Sequence, residues 1–389
     1  MTSGAELIRA HWERGEPGRA APRELVLRLY HLWFMALVFK SLGAAWDMSW
    51  HFKWLRDDLA PPHLLNTVGT VIVLGLVIFH TYTGIGVDRS TLRWMQWGIG
   101  TFLVAAPLDV INHRLNGLDI TAWSPSHALL YLGTGMMLVG TLRGWMHHGA
   151  GVPYFRSMQY FLWICVLDGF LFLNQHQEYG VLGLAAWEHG RPYAEPSLLQ
   201  FAANQIGHPV DYLAVRNFTL PVPDWVYPSW AAVTTMVTLV LARRFVGHRW
   251  TATIVTSGYL AFRCVAWGLL AAAKFPMSTV PFFLLGGALV VDLSFHLPLP
   301  RYMRAAVGAI LVTAATYVSL LEQATHLAAP PVDYSSVFYA AALLALLWAA
   351  VVYLTDSEHG RRTLRRIVAQ GARSSRPSED PPRATPLPG

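Results

Sequence analysis

Long apolar blocks alternate with short polar stretches along this chain of 389 residues. The apolar blocks each approach the roughly 20 residues that an α-helix needs to cross the hydrocarbon core of a bilayer. We therefore predict an all-α integral membrane protein, a polytopic bundle of about ten transmembrane helices. The predicted spans are residues 26–51, 63–86, 93–113, 126–146, 155–176, 226–246, 251–273, 278–296, 303–326 and 334–354.

The composition agrees with this class. Hydrophobic residues make up 54% of the chain and charged residues 13%, whereas soluble domains carry ~25% charged residues. The 16 tryptophans and 15 tyrosines suit aromatic belts at two membrane interfaces. The net charge of +6 is concentrated in the tails, so we expect the lipid bilayer, and no nucleic acid, as a partner. Cys165 and Cys264 lie inside apolar blocks without metal-type spacing, which argues against a disulfide or thiolate site.

Basic residues mark one side of the membrane. They occupy the loops on the side shared by both tails, where the positive-inside rule places the cytoplasm. We predict a multi-pass protein of the inner or plasma membrane with both termini cytoplasmic. Residues 1–25 then form a flexible cytoplasmic tail, and residues 357–389 a disordered, basic cytoplasmic tail. The basic loop residues are Arg89, Arg93, Arg143, Arg156, Arg243, Arg244, Arg249, Arg301 and Arg304.

The polar residues with the most chemical content stand at the outer end of the first predicted span. Asp47 precedes His51 by four residues, Arg56 and Asp57 follow in the loop, and His63 opens the next apolar block. Residues four apart share one face of a helix, so Asp47 and His51 can hold one ion together. The loop is long enough to bring His63 to the same ion. Arg56 and Asp57 are candidates for orienting the imidazoles or handling protons.

A second copy of the pattern follows the first. Asp109 precedes His113 by four residues, Asp119 lies in the loop, and His127 opens the next apolar block. Asp119 is a further candidate for proton handling. Two occurrences of the same spacing favour metal binding at one or both copies.

The two copies imply an internal repeat. The helix pairs 26–86 and 93–146 run in the same sense, so residues 26–146 form a duplicated metal-binding region with a parallel repeat. Residues 147–356 form the rest of the transmembrane bundle. This part includes a polar and aromatic extracytoplasmic segment, residues 177–225.

One carboxylate and two imidazoles are a ligand set for Cu(II), Zn(II) or non-haem Fe(II), and the set alone does not choose the metal. A structural alternative exists for each copy. The aspartate can pair with a cation in the headgroup region while the histidines make interfacial hydrogen bonds.

The first copy resembles the metal-binding stretch in the C subunit of copper membrane monooxygenases, the particulate methane, ammonia and hydrocarbon monooxygenases. The family pattern is Asp-x-Ser-Trp-His, an Arg-Asp pair and Pro-Ser-His, although the first loop here is one residue shorter. The matching elements are Asp47-x-Ser-Trp-His51, Arg56-Asp57 and Pro61-x-His63. The resemblance covers residues 26–146 and implies that Asp47, His51 and His63 bind one copper ion.

The resemblance also implies a second copper site in the next helix pair. Asp109, His113 and His127 reproduce the family's spacing there, with Asp109 in place of the family's Asn. The implied function is the oxidation of a small apolar substrate with dioxygen, alone or beside A- and B-type monooxygenase subunits. Iron and zinc stay open as cofactors. A copper transporter or metal-loading protein and a non-catalytic assembly subunit stay open as functions, and no residue is assigned to catalysis.

Weaker candidates lie later in the chain. Glu322 and His326 repeat the four-residue step at the outer end of their span, and we assign them to proton handling or to support of the metal cluster. We expect a pocket bounded by the first four spans and the outer end of the ninth. Arg263 lies in mid-span and needs a carboxylate partner, for which Asp168 and Asp292 are the candidates by depth.

Overall fold

The structure is a computed structural model, and it describes residues 4–55, 59–116, 121–149, 151–152, 154–358 and 360–362. Within these residues the chain is helical and has no strand, only an isolated β-bridge between Arg19 and Ile85. The predicted all-α class is therefore confirmed. Arg56, Asp57, Asp119 and the tail beyond residue 362 lie outside the described residues. The helices are α1 Gly4–Ala10, α2 Arg23–His51, α3 Pro61–Thr83, α4 Arg89–Asn116, α5 Pro125–His148, α6 Phe155–Glu188, α7 Pro196–Gln205, α8 Tyr212–Thr219, α9 Val226–Trp230, α10 Met236–Val246, α11 Thr251–Ala272, α12 Leu284–Ser294, α13 Arg301–His326 and α14 Val337–Asp356.

Seven helical segments of the described chain are long and apolar enough to cross a membrane. They are α2, α3, α6, the α9–α10 segment with its π-helical turn Ala231–Thr235, α11, α13 and the segment ending in α14. Helix α12 is apolar but has only 11 residues. The larger number of about ten spans stays a prediction.

Helix α6 extends beyond its predicted span. The sequence pattern ends this span at residue 176, whereas the helix continues to Glu188. Helical geometry persists because Gln177, Glu178 and Tyr179 are buried in the protein and do not face water. The predicted 177–225 segment therefore begins as a continuation of α6.

Helices α2 and α3 form one hairpin, and α4 and α5 form another. Glycines permit their close approach. A Cβ at Gly43 would lie 2.9 Å from the backbone nitrogen of Asn66, and a Cβ at Gly98 would lie 2.6 Å from that of Met137. Small residues allow such contacts between membrane helices. The internal duplication stays a prediction.

The segment before α2, predicted to be a flexible tail, lies against the end of α3. The Trp12 ring centroid is 5.6 Å from that of Phe79 and 5.4 Å from that of Tyr82. The Gly15 backbone nitrogen donates to the Tyr82 carbonyl oxygen at 3.0 Å. This contact is at the end of α3 opposite to His63.

Helices α7 and α8 cover the end of the bundle that holds His51. A small apolar cluster joins them to the end of α2 and to α6 through Phe52, Phe172, Leu198 and Phe218. Burial of these side chains fixes the end of α2, which carries the first predicted metal ligands.

Candidate metal centre

Asp47, His51 and His63 converge at the end of the α2–α3 hairpin. Asp47 Oδ1 lies 3.3 Å from His51 Nε2 and 2.8 Å from His63 Nε2. One helical turn places Asp47 and His51 on the same face. Pro61 begins α3, a position that suits proline, and His63 follows in the first turn. The ligand atoms of the three residues all lie within 4.8 Å of one another, so the structure brings the predicted triad together.

The triad has the donor chemistry and the spacing for a transition-metal ion. Two atoms that each bind one ion at about 2.1 Å are at most about 4.2 Å apart. Both oxygen–nitrogen distances fall within that limit. The three side chains are only partly buried, so an ion has access to them. This donor set fits Cu(II), Zn(II) or Fe(II).

The second predicted triplet is described in part. Asp109 Oδ1 lies 3.5 Å from His127 Nε2, and the aspartate is buried. His127 Nδ1 donates to the Thr121 carbonyl oxygen at 2.8 Å, which leaves Nε2 as the acceptor or ligand atom, as in many metal-binding histidines. His113 lies in α4 one turn after Asp109, but its side chain is outside the described part. Convergence of the triplet on one ion stays a prediction.

One cavity of about 420 Å³ connects the two clusters. Asp47 and His63 line one part of its wall, and Asp109 and His127 line another. Most of the remaining wall is apolar, formed by side chains such as Leu37, Phe102, Leu103, Leu130, Leu138 and Phe172. An apolar cavity with a few polar groups is typical of sites for small molecules.

The cavity walls differ from the prediction in one helix. The first four predicted spans contribute residues to the cavity wall, as expected. The remaining side is formed by α6, and α13 contributes no residue to the described lining. Helix α6 packs against α2 and α5, whereas α13 packs against α12 and α14. Glu322 and His326 on α13 are exposed and pair with each other at 3.2 Å, so the structure does not bring them to the metal cluster.

His176 lines the cavity but is held by the backbone. Its Nε2 donates to the Phe218 carbonyl oxygen at 3.0 Å, and its Nδ1 accepts from the Ala122 backbone nitrogen at 3.4 Å. Both ring nitrogens are thus occupied, and the imidazole joins α6 to α8 and to the loop before α5. We therefore regard His176 as structural.

Arg263 pairs with Glu178, so the prediction of Asp168 or Asp292 as its partner was wrong. Arg263 Nη1 lies 2.8 Å from Glu178 Oε2, and both side chains are 3% exposed. The sequence pattern placed Glu178 beyond the fifth span, but the continuous α6 brings it opposite Arg263 on α11. Asp168 instead accepts a hydrogen bond from Gln175 Nε2 at 3.3 Å.

Asp292 has a structural role at the start of α11. Its carboxylate accepts hydrogen bonds from the backbone nitrogens of Ala252 at 3.1 Å and Thr253 at 2.9 Å. It also lies 3.4 Å from Arg243 Nε. This carboxylate satisfies orphan N–H groups of the helix N-terminus and links α10, α11 and α12.

Sequence reasoning missed Lys40. This residue lies inside the first apolar block, is 4% exposed and lines the cavity. A single lysine within an otherwise apolar span was the available indication, because ionisable residues inside membranes are costly.

Comparisons of the chain with protein-family models, with curated proteins and with solved structures find no match. The likeness to copper membrane monooxygenases therefore rests on the motif residues alone. The described chain is all-helical, has seven helices able to cross a bilayer, and brings an Asp/His/His cluster to the wall of a cavity.

Proposed function

We propose that this protein is a polytopic membrane protein that binds copper at Asp47, His51 and His63. The observation that carries the proposal is the convergence of one carboxylate and two imidazoles, at 2.8 and 3.3 Å, on the wall of a mostly apolar cavity. The motif resemblance favours copper among the metals that this donor set fits. Its implied activity is the oxidation of a small apolar substrate with dioxygen, alone or with A- and B-type subunits.

The cavity residues have distinct parts in this proposal. Asp47 Oδ1 lies 3.3 Å from His51 Nε2 and 2.8 Å from His63 Nε2, so the three donor side chains face one position for an ion. Copper, when bound, supplies one-electron redox chemistry. Leu103, Leu130 and Phe172 offer an apolar surface to a substrate that enters from the bilayer. By the distribution of arginines, we place this cluster near the outer leaflet and both termini in the cytoplasm.

Metal analysis of the purified full chain tests the proposal. We expect stoichiometric copper in the wild type, with an electron paramagnetic resonance spectrum of nitrogen-ligated Cu(II). His63→Ala should lower copper affinity at the first site by at least about 100-fold, because a ligand is lost. His326→Ala is the matched control, since this histidine is exposed and does not line the cavity.

The same measurement on His127→Ala reports the second cluster separately. Equal copper content in the wild type, His63→Ala and His326→Ala would contradict the first site. Binding of zinc or iron in preference to copper would contradict the choice of metal and would leave the ligand set intact.

A second candidate function is metal loading or transport. It is favoured by one observation, the placement of both Asp/His clusters on the wall of one cavity. Vesicles containing the protein would then accumulate copper without an electron donor. Oxygen uptake that depends on a reductant and an apolar substrate would favour oxidation. Bound copper with neither activity would favour a non-catalytic assembly subunit.

A further inference from the structure

A buried lysine gives the cavity a second chemical feature. Lys40 lies on α2 seven residues before Asp47, so about 10 Å of helix rise separates the two on a shared face. The Lys40 side chain lines the cavity and is 4% exposed. The lysine therefore lies deeper in the bundle than the metal cluster at the end of α2.

The partners of Lys40 are neutral. Its Nζ donates to Asn66 Oδ1 at 2.8 Å and to Thr70 Oγ1 at 3.1 Å, and it lies 3.8 Å from the centroid of the Phe102 ring. An ammonium group has three N–H donors, so one donor remains after these two bonds. No carboxylate in the described part of the chain lies within the 4.0 Å ion-pair limit of this nitrogen.

The neutral surroundings of Lys40 Nζ, and not the charge of the wall as a whole, favour an external anion at this position. A buried ammonium without a counter-ion is costly. The aspartates of the wall have partners elsewhere: Asp47 contacts His51 and His63, Asp109 contacts His127, and Asp168 contacts Gln175. Lys40, when protonated, thus carries a charge that no carboxylate of the described residues pairs with at ion-pair distance.

We propose that this part of the cavity binds the carboxylate of a single-chain amphiphile. Lys40 provides the counter-ion, Asn66 and Thr70 orient the ammonium, and the apolar wall surrounds the hydrocarbon chain. Lysine suits this task because its ammonium is a compact point charge on a flexible stem. This choice is notable in a chain with 29 basic residues, of which only Lys40, Lys53 and Lys274 are lysines. The site goes beyond the proposed function and does not depend on a metal.

The cavity volume limits the ligand. About 420 Å³ corresponds to about 14 water-sized groups at ~30 Å³ each. A straight-chain carboxylate of about ten carbons fills this space, with about 12 non-hydrogen atoms. A two-chain phospholipid is too large to enter whole.

Equilibrium binding of radiolabelled decanoate to the full chain in lipid nanodiscs, after treatment with a chelator, tests the proposal. We expect one saturable site in the wild type. Lys40→Met should weaken binding by at least about tenfold, since the charged hydrogen bond to the carboxylate is lost. Lys53→Met is the matched control, because Lys53 does not line this cavity and bonds the Lys274 carbonyl oxygen. Decan-1-ol, which has the same chain without the charge, should compete poorly.

Two results would overturn the proposal: decanoate binding that is unchanged in Lys40→Met, or equal affinity for decanoate and decan-1-ol. If Lys40→Met does not fold, a decanoate with a terminal diazirine provides the test on the wild type. Crosslinks should map to buried cavity residues such as Leu37, Leu138 or Phe172. Crosslinks confined to exposed residues such as Phe338 and Tyr339 of α14 would show only partition into lipid and would refute the site.

The two proposals fail independently. His63→Ala should lose copper but keep decanoate binding, and Lys40→Met should lose decanoate but keep copper. Loss of both ligands in both variants would indicate a collapsed cavity and would contradict the separate lysine site.

Discussion

Removal of the Glu178 carboxylate tests the contribution of the buried ion pair between α6 and α11. Arg263 donates to Tyr259 Oη at 2.9 Å and to Ser278 Oγ at 2.7 Å, in addition to its 2.8 Å contact with Glu178. Tyr227 Oη donates to Glu178 Oε1 at 3.3 Å. The Glu178→Ala variant therefore keeps a buried guanidinium with neutral partners and removes its counter-ion.

The magnitude follows from the geometry. At an effective dielectric constant of about 20, unit charges 2.8 Å apart attract by about 6 kcal/mol. Desolvation of the two ions opposes this attraction, so the intact pair contributes little net stability. Loss of one partner leaves a buried charge uncompensated and costs about 3–5 kcal/mol. That cost corresponds to about a 10²- to 10⁴-fold shift in the unfolding equilibrium.

Denaturant unfolding in a mild non-ionic detergent, followed by near-ultraviolet circular dichroism, measures the effect. The matched control is Glu188→Ala, an exposed glutamate at the end of the same helix, for which we expect a change within about 0.5 kcal/mol. The double variant Glu178→Gln with Arg263→Met removes both charges and should be more stable than Glu178→Ala. Equal stability of the two alanine variants, or a double variant less stable than Glu178→Ala, would refute this reasoning.

Two further predictions concern packing and capping. Gly98→Ala should destabilise the chain by about 1–3 kcal/mol through overpacking against Met137. Gly100→Ala is the control and should not destabilise it, because the space around its Cβ position is open. Thermal unfolding of the two variants measures the difference. At α8, the hydrogen bond from the Ala214 backbone nitrogen, at 3.0 Å, lowers the pKa of the Asp211 carboxyl. The pKa of Asp211 is lower in the folded state than in the unfolded state. The stability that this cap contributes is therefore complete above the unfolded pKa of about 3.9, and it is lost as pH falls through the folded pKa. Hydrogen exchange of α8 amides should accelerate over that interval in the wild type but not in Asp211→Asn, and equal acceleration in both would contradict the cap.

The Asp47, His51 and His63 cluster could be predicted because its geometry is local. A four-residue step on one helix and a short loop to the next helix determine where the three side chains meet. The same step at Glu322 and His326 produces an exposed pair, since packing of α13 against α12 and α14, and not spacing, decides where that face points.

The partner of Arg263 could not be found in this way. Hydropathy ends the fifth span at the polar residues after His176, yet Glu178 stays helical and buried because Arg263 and Tyr227 compensate its charge and its oxygens. The start of the eighth predicted span also differs from the structure. The Thr279 backbone N–H donates to the Glu178 carbonyl oxygen at 3.0 Å, and Ser278 Oγ accepts from Arg263 at 2.7 Å. Residues predicted to begin the eighth span therefore contact the two ion-paired residues, and α12 begins later, at Leu284. The local periodicity of a sequence does not reveal such long-range pairings.

The carboxylate of Asp292 also bears on biogenesis. Helix α12, with 11 residues, is too short to cross a bilayer by itself. Its aspartate is satisfied only when the first amides of α11 and the guanidinium of Arg243 on α10 are beside it. In the proposed bilayer setting, release of these helices one at a time would leave the Asp292 carboxylate without these partners. We therefore expect α10, α11 and α12 to reach their final packing only after the chain has been synthesised past Asp292.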